Sequence, residues 1–422
     1  MYNFYEQATR PVYIEIPIED YEHGGEGRVA KLNLSLYGTR DAAQNWAKEY
    51  TQHLVSCGFV QGLASPCSFR HERRELMLTV HGDDFTVTGP TSALQWFKGK
   101  MQTRYEIKTN VLGPDAGMQQ EIQVLNRTLG WGKSGITYEA DQRHAEIIIQ
   151  ELCLKTGNAV VTPSVPEASD EANKRLNSPE LTLSDSTRYR ALAARINYLS
   201  LDRPDLQYAA KCVSEYMSAP REHDWTYIKR LARYLVGATR AVQTFKWQSP
   251  QKMVRTYVDS DWAGDKISRK STSGGAMCIG KHMIKSWSTT QQTIAMSSGE
   301  AELYAMVKGA AQTKGLISMI NDYGFRFDAC VCSDASAAIG IVHRQGLGKT
   351  RHIQVQYLWT QAEVADGRMK AQKVRTDDNP ADLMTKSLSN ETMSRHLHDF
   401  SFYVDTTRAK SAARLQSVPF LE

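Results

Sequence analysis

An α/β fold is predicted for the C-terminal part of this 422-residue chain. From Lys252 onward the apolar pattern switches repeatedly between a period near two and a period near 3.6, reading as strand, hairpin, strand, helix, strand, helix, strand, helix. The run Ala276 to Ile279, a Gly280-Lys281 turn and the run His282 to Trp287 form a β-hairpin, so the sheet starts as an antiparallel meander. Four carboxylates, Asp259, Glu302, Asp334 and Asp382, each fall on a different element of this series.

Upstream, roughly the first 115 residues hold strand-like runs and one clear helix, and Gly113, Pro114 and Gly117 mark a boundary. Ile136 to Leu154 reads as a short strand followed by a helix with Ala145, Ile148, Ile149 and Leu152 on one face. Residues 156–187, with Pro163, Pro166 and Pro179 among many polar residues, are expected to be a mobile loop. Tyr189 to Thr239 has helical period and breaks at Arg203-Pro204. Its apolar and aromatic faces comprise Tyr198, Leu199, Leu206, Tyr208, Trp225, Tyr227, Leu231 and Tyr234. Arg221, Lys229, Arg230 and Arg233 add positive charge, which suits either a bundle with solvated charges or contact with nucleic acid.

Bulk properties narrow the class. The length favours two or three domains. With 41% hydrophobic and 23% charged residues and a mean hydropathy of −0.46, the chain reads as globular. No stretch reaches the ~18 apolar residues of a membrane span. The start lacks the features of a secretory signal, so an intracellular location, cytoplasmic or nuclear, is expected and no membrane partner is. Seven dispersed cysteines argue against a disulfide framework. Cys330 and Cys332, the only close pair, are expected to face opposite sides of a strand as small buried residues. A net charge of +5 permits a polyanionic partner without requiring one.

Each acid has a structural alternative. Asp259 follows the strand-like run Met253 to Val258 and is preferred over Asp261, which shares its face. Ser297 and Glu300 have capping-box spacing, with Glu300 returning to the Ser297 backbone N–H, and this leaves Glu302 free to project toward the sheet. Asp334 ends the apolar run from Cys330 and could be a turn residue. Asp382 follows Asn379-Pro380, an N-cap and first helical position, and could simply complement the helix dipole. No Lys or Arg lies in the short stretches around the acids, so divalent metal ions are the expected counter-charge. Two Mg²⁺ ions on such a set suit hydrolysis of a phosphodiester.

Several stretches together resemble the ribonuclease H domain of copia-type LTR retrotransposon Pol polyproteins. They are Tyr257 to Asp265, Arg269 to Gly274, Ser286-Trp287-Ser288, Ser297 to Glu302, Arg351-His352-Ile353 and Asn379 to Lys386. Lys31 to Gly38, Ala43, Trp46 and Gly58-Phe59 resemble the reverse transcriptase segment of that family, and His81-Gly82-Asp83-Asp84 resembles its catalytic hairpin. The similarity runs to about residue 405. It implies a partial reverse transcriptase palm at 1–115, a helical thumb and connection at 116–247, a ribonuclease H-like domain with a mixed sheet and flanking helices at 248–405, and a tail at 406–422.

The resemblance further implies Mg²⁺-dependent hydrolysis of RNA in RNA–DNA hybrids by Asp259, Glu302, Asp334 and Asp382, with Mn²⁺ as a substitute ion. Asp83 and Asp84 carry over as metal-binding polymerase carboxylates. The stretch Phe4 to Tyr13 matches the tail of a palm segment whose aspartate would lie before Met1, so polymerase activity is expected to be lost. Other Pol-derived chains are the protein partners implied. Departures from the family are His81-Gly82 in the hairpin, Gln354 where an acid is usual, and the lack of a histidine just before Asp382. Two alternatives stand beside this reading: a complete RNA-directed DNA polymerase whose N-terminal part is absent from this sequence, and a non-catalytic nucleic-acid-binding relic.

Overall fold

The computed structural model describes residues 11–16, 27–36, 38–346, 348 and 352–413. Most of the Phe4 to Tyr13 stretch, together with Tyr37 and Arg351, lies outside the described residues. The chain divides into two compact units: Met1–Thr109 with Ser318–Phe325, and Asn110–Ile317 with Arg326–Glu422.

In the first unit, β1 (Tyr13–Glu15) pairs antiparallel with β2 (Val29–Lys31). Helix α1 (Ala42–Ser56) precedes an antiparallel four-stranded sheet of β3 (Val60–Gln61), β4 (Ser68–His71), β5 (Leu76–His81) and β6 (Asp84–Thr88), and α2 (Thr91–Gln102) follows. Strict alternation builds the core. On β5, Leu76, Leu78 and Val80 turn inward against Leu54, Phe69, Phe97 and Met101, while Thr79 and His81 face out. Gly82 and Asp83 form the two-residue turn between β5 and β6, with Gly82 at φ 63°. The indole of Trp46 donates to the Gly82 carbonyl at 2.8 Å and fixes the turn to α1.

The second unit holds two five-stranded sheets. One is antiparallel: β7 (Glu121–Val124), β8 (Arg127–Gly132), β9 (Gly135–Glu139), β10 (Arg240–Lys246) and β16 (Phe402–Asp405), with β7 and β16 at its edges. Five helices accompany it: α3 (Gln142–Glu151), α4 (Glu171–Asn177), α5 (Leu183–Ser200), α6 (Gln207–Glu215) and α7 (Trp225–Gly237). Two expectations are corrected here. Residues 156–187 carry α4 and the start of α5, because buried Arg175 clamps Asp224 at 2.8 Å and gives this polar stretch an anchor that its proline content does not announce. The last strand of the region 248–405 pairs with β10 (Ala241 opposite Val404), so it completes the sheet that the preceding segment begins.

The expected helical break at Arg203-Pro204 is present. Arg203 is 1% exposed and forms a two-point pair with Asp205 at 2.9 and 2.7 Å. Arg221, Arg230 and Arg233 spend hydrogen bonds on the 156–180 segment, at the Ser178 carbonyl, the Thr162 hydroxyl and the Asn158 carbonyl respectively. Those three cations hold the fold together, whereas Lys229 is exposed.

The other sheet is mixed, in the order β13-β12-β11-β14-β15: β11 (Met253–Asp261), β12 (Thr272–Ile279), β13 (His282–Thr290), β14 (Asp328–Ser333) and β15 (Met369–Lys373). The first three are antiparallel, and β14 and β15 run parallel to β11. Helices α8 (Ser298–Asp322), α9 (Ser336–His343) and α10 (Trp359–Ala365) supply the connections, and α11 (Asn390–Asp399) leads into β16. An antiparallel meander continued by parallel strands is the mixed sheet with flanking helices that the sequence predicts.

β12 is buried on both faces, so two cores meet at it. Ala276 and Cys278 join Leu199, Leu231 and Leu235 of the helices, while Met277 joins Leu303, Met306 and Val331 on the other side. Cys330 and Cys332 differ from expectation: residues two apart on a strand share a face, and their sulfurs approach to 3.8 Å.

Candidate metal centre

Asp259 arrives on β11 directly after Val258, whose side chain is fully buried against α8. The alternation of the strand therefore turns Asp259 to the opposite face. Glu302 comes from the first turns of α8. Asp334 follows β14, one residue past the buried Ser333. Carboxylate oxygens of Asp259, Glu302 and Asp334 all lie within 4.8 Å of one another. Three hard oxygen donors at this spacing fit a divalent cation.

The fourth acid reaches the site through a chain of specific contacts. Asn379, fully buried, caps the 3₁₀ turn Pro380–Met384 by accepting from the Ala381 N–H. Its amide donates to the Val258 carbonyl at 2.9 Å, which ties the turn to the strand one residue before Asp259. The element is a 3₁₀ turn where an α-helix start is expected, yet Asn379 and Pro380 hold the predicted capping places. Thr385, one residue past the turn, donates its hydroxyl to Asp259.

The neighbouring acids Glu300 and Asp261 lie outside the three-oxygen group. Glu300 is fully engaged: its oxygens accept from the Met296 N–H at 2.9 Å and the Tyr304 hydroxyl at 2.6 Å, and His352 Nε2 lies at 2.8 Å. The backbone partner is Met296 where Ser297 is expected, and the Ser297 hydroxyl in turn accepts from the Glu300 N–H. Burial alone would raise the Glu300 pKa, but the bonds from Tyr304, His352 and Met296 outweigh it and hold it below the ordinary value. Asp261 folds its carboxylate against Gly264, where an added Cβ would lie 1.8 Å from Oδ2, and stays outside the three-oxygen group.

The site is electrostatically loaded. Burial first, then Asp259 and Asp334, push Glu302 up to about 8, even though it accepts from the Ser260 N–H at 3.1 Å and the Ser333 hydroxyl at 3.4 Å. Burial and Asp259 likewise push Asp382 up to about 7. Carboxylates forced together out of water and supplied with few donors are poised to bind cations.

The absence of Lys or Arg beside the acids, expected from the sequence, is corrected. Lys386 brings its ammonium to 2.9 Å from Asp382 Oδ1 and 3.7 Å from Asp259 Oδ2. The first contact is an ion pair without hydrogen-bond alignment, leaving Asp382 Oδ1 short of a directed donor. Lys386 closes the Asn379 to Lys386 stretch, four residues past Asp382, and that spacing was the available signal for it. Thr385 and Ser333 carried no comparable signal.

Asp83 and Asp84 belong to the first unit, Asp83 in the β5–β6 turn and Asp84 at the start of β6, and both are exposed. Among the described residues they gather with no third His, Cys, Asp or Glu in the manner of the Asp259 group.

No family model matches the chain. It is 26% identical over 397 residues to the retrovirus-related Pol polyprotein from transposon RE2 of Arabidopsis thaliana, an alignment covering 90% of this chain and 26% of that protein. The corresponding polyprotein from transposon TNT 1-94 of Nicotiana tabacum is 26% identical over 392 residues, covering 89% and 28%. The chain thus spans about a quarter of the length of these relatives. Among solved structures, the foamy viral protease-reverse transcriptase in complex with dsDNA is similar at a TM-score of 0.45 and 12% identity, over 83% of this chain and 62% of that one. No helix among the described residues is long and apolar enough to cross a membrane. Over about nine-tenths of its length the chain is thus similar to retrovirus-related Pol polyproteins of plant transposons.

Proposed function

We propose that this chain hydrolyses the RNA strand of RNA–DNA hybrids with Mg²⁺, or Mn²⁺ in its place, at Asp259, Glu302, Asp334 and Asp382. The observation that carries this reading is the convergence of Asp259, Glu302 and Asp334 oxygens within 4.8 Å, with Asp382 linked to Asp259 through Lys386. Residues from β11 to the Pro380–Met384 turn form the nuclease part.

Bound divalent ions would supply activation of water and neutralisation of charge on the scissile phosphate. Asp259, Glu302 and Asp334 would hold a cation together, and Asp259 with Asp382 offers a second carboxylate pair. Ser260 N–H and the Ser333 hydroxyl orient Glu302, while Thr385 orients Asp259. Asn379 keeps the Asp382 turn in register with β11.

The test is cleavage of a labelled RNA–DNA hybrid in Mg²⁺ by the full chain and by Asp334→Asn. The variant should lose on the order of 10²-fold or more in rate. Unchanged cleavage by the variant would show that the four-acid mechanism is wrong, and salt-sensitive binding without any cleavage would favour a binding role instead. Polymerase chemistry is not proposed for Asp83 and Asp84.

A further inference from the structure

Asp259 serves two neighbourhoods. On one side its carboxylate shares the three-oxygen group with Glu302 and Asp334. On the other it shares the ammonium of Lys386 with Asp382. The two differ in what already neutralises them. Among the described residues Glu302 is met by uncharged donors, the Ser260 N–H and the Ser333 hydroxyl. The Asp259–Asp382 pair instead holds a full positive charge. An ammonium and a divalent ion cannot share two carboxylates at close range without strong repulsion.

Lys386 also has a way out. Its side chain is 43% exposed, whereas those of its partners Asp259 and Asp382 are 7% and 11% exposed. It stands just past the end of the 3₁₀ turn, so its flexible stem can swing without disturbing Asn379 or Thr385. A compact, strongly hydrated cation on such a stem is also suited to meeting a phosphate at the mouth of the site.

We propose that Lys386 is a resident counter-ion that withholds the Asp259–Asp382 pair from a second divalent ion until an anionic phosphate of the substrate strand draws its ammonium away. Without nucleic acid the chain takes one divalent ion, at Asp259, Glu302 and Asp334. Lys386 is thus a positioning residue that couples metal loading to substrate. The proposal rests on the four acids being a metal site.

Mn²⁺ binding to the full chain without nucleic acid, followed by calorimetry, tests it. Wild type is expected to bind one ion. Lys386→Met should bind two, or raise the affinity of the second at least about tenfold, while Lys386→Arg, which keeps the charge, should bind one. Equal thermal melting of the three metal-free proteins establishes that they are comparably folded. A wild type that binds two ions, or a Lys386→Met variant that binds one, overturns the role of Lys386. Glu302→Gln should lose the first ion. If wild type binds no ion, or Glu302→Gln binds as wild type does, the metal reading itself fails and takes the proposal with it.

Discussion

Gly274 stands directly opposite Asp259 in the antiparallel register of β11 and β12. A Cβ at that position would lie 2.6 Å from Thr385 Cγ2 and 2.7 Å from the Met384 Cβ. The missing side chain is the space into which the Asp382-bearing turn closes, so a residue with no chemistry of its own sets the distance between two acids.

Gly274→Ala should therefore push the Pro380–Met384 turn away from β11. Overpacking of this kind costs about 1–3 kcal/mol. A displacement of Asp382 by even part of an ångström should lower cleavage by about tenfold or more. Urea unfolding and hybrid cleavage, measured on the same preparation, check both numbers. Wild-type stability together with wild-type activity would mean that the turn does not depend on this contact.

Metal-free stability should carry a pH signature from Glu302. Its pKa rises from 4.5 to about 8 on folding, so between those values the folded state holds a proton that the unfolded state releases. The stabilisation is fully present below about pH 4.5 and is lost as pH rises toward 8. Burial lowers the pKa of His53, His144 and His396, which gives an opposing slope near their ordinary value of 6.5. The difference between wild type and Glu302→Gln in EDTA isolates the carboxylate. The wild-type melting temperature should fall relative to the variant by a few °C from pH 5 to 9, and saturating Mg²⁺ should reduce that fall by stabilising the ionised form. A constant difference across the range would remove Glu302 from the buried cluster.

Much of the centre was legible in the sequence because local rules bound it tightly. Ser297 and Glu300 fixed one glutamate as structural and freed Glu302, and alternation after Met253 set the face of Asp259. What stayed hidden depended on distant pairing. Lys386 is significant only because the Asn379 bond to Val258 brings its turn beside β11, and no periodicity reports a contact across 121 residues. Likewise β16 follows a helix that leads away from the mixed sheet and pairs with β10, since the edge that accepts it is set by tertiary structure. Arg175 anchors a stretch whose composition reads as loop for the same reason.

Helix α8 is held at close range to β11 by Gly309. An added Cβ there would lie 2.5 Å from Val258 Cγ1 and 3.4 Å from Thr256 Cγ2. Gly309→Ala gains about 1 kcal/mol of helix propensity, but the β-branched Val258 is stiff and fully buried. The clash, at about 1–3 kcal/mol, should win, giving a net loss of up to about 2 kcal/mol in urea unfolding. Because Glu302 rides on the same helix, Mn²⁺ affinity should weaken in parallel. Stabilisation by this variant would mean that the helix has room to move away from the strand without cost.

Arg203 and Asp205 make the sharpest stability prediction. Both are almost wholly buried, Tyr234 donates its hydroxyl to Asp205 at 2.8 Å, and Arg203 donates to the Ala238 carbonyl at 3.0 Å. The network joins the break before α6 to the end of α7. Arg203→Met keeps most of the volume but strands the Asp205 carboxylate, and removing one partner of a buried pair costs about 3–5 kcal/mol. Arg203→Met combined with Asp205→Leu should recover a large part of that loss, because the cost lies in the orphaned charge and not in the lost attraction. Urea unfolding of the two single variants and the double variant closes the cycle. A double variant as unstable as the sum of the singles would show that the pair acts through geometry at the Arg203-Pro204 break, with charge burial playing no part.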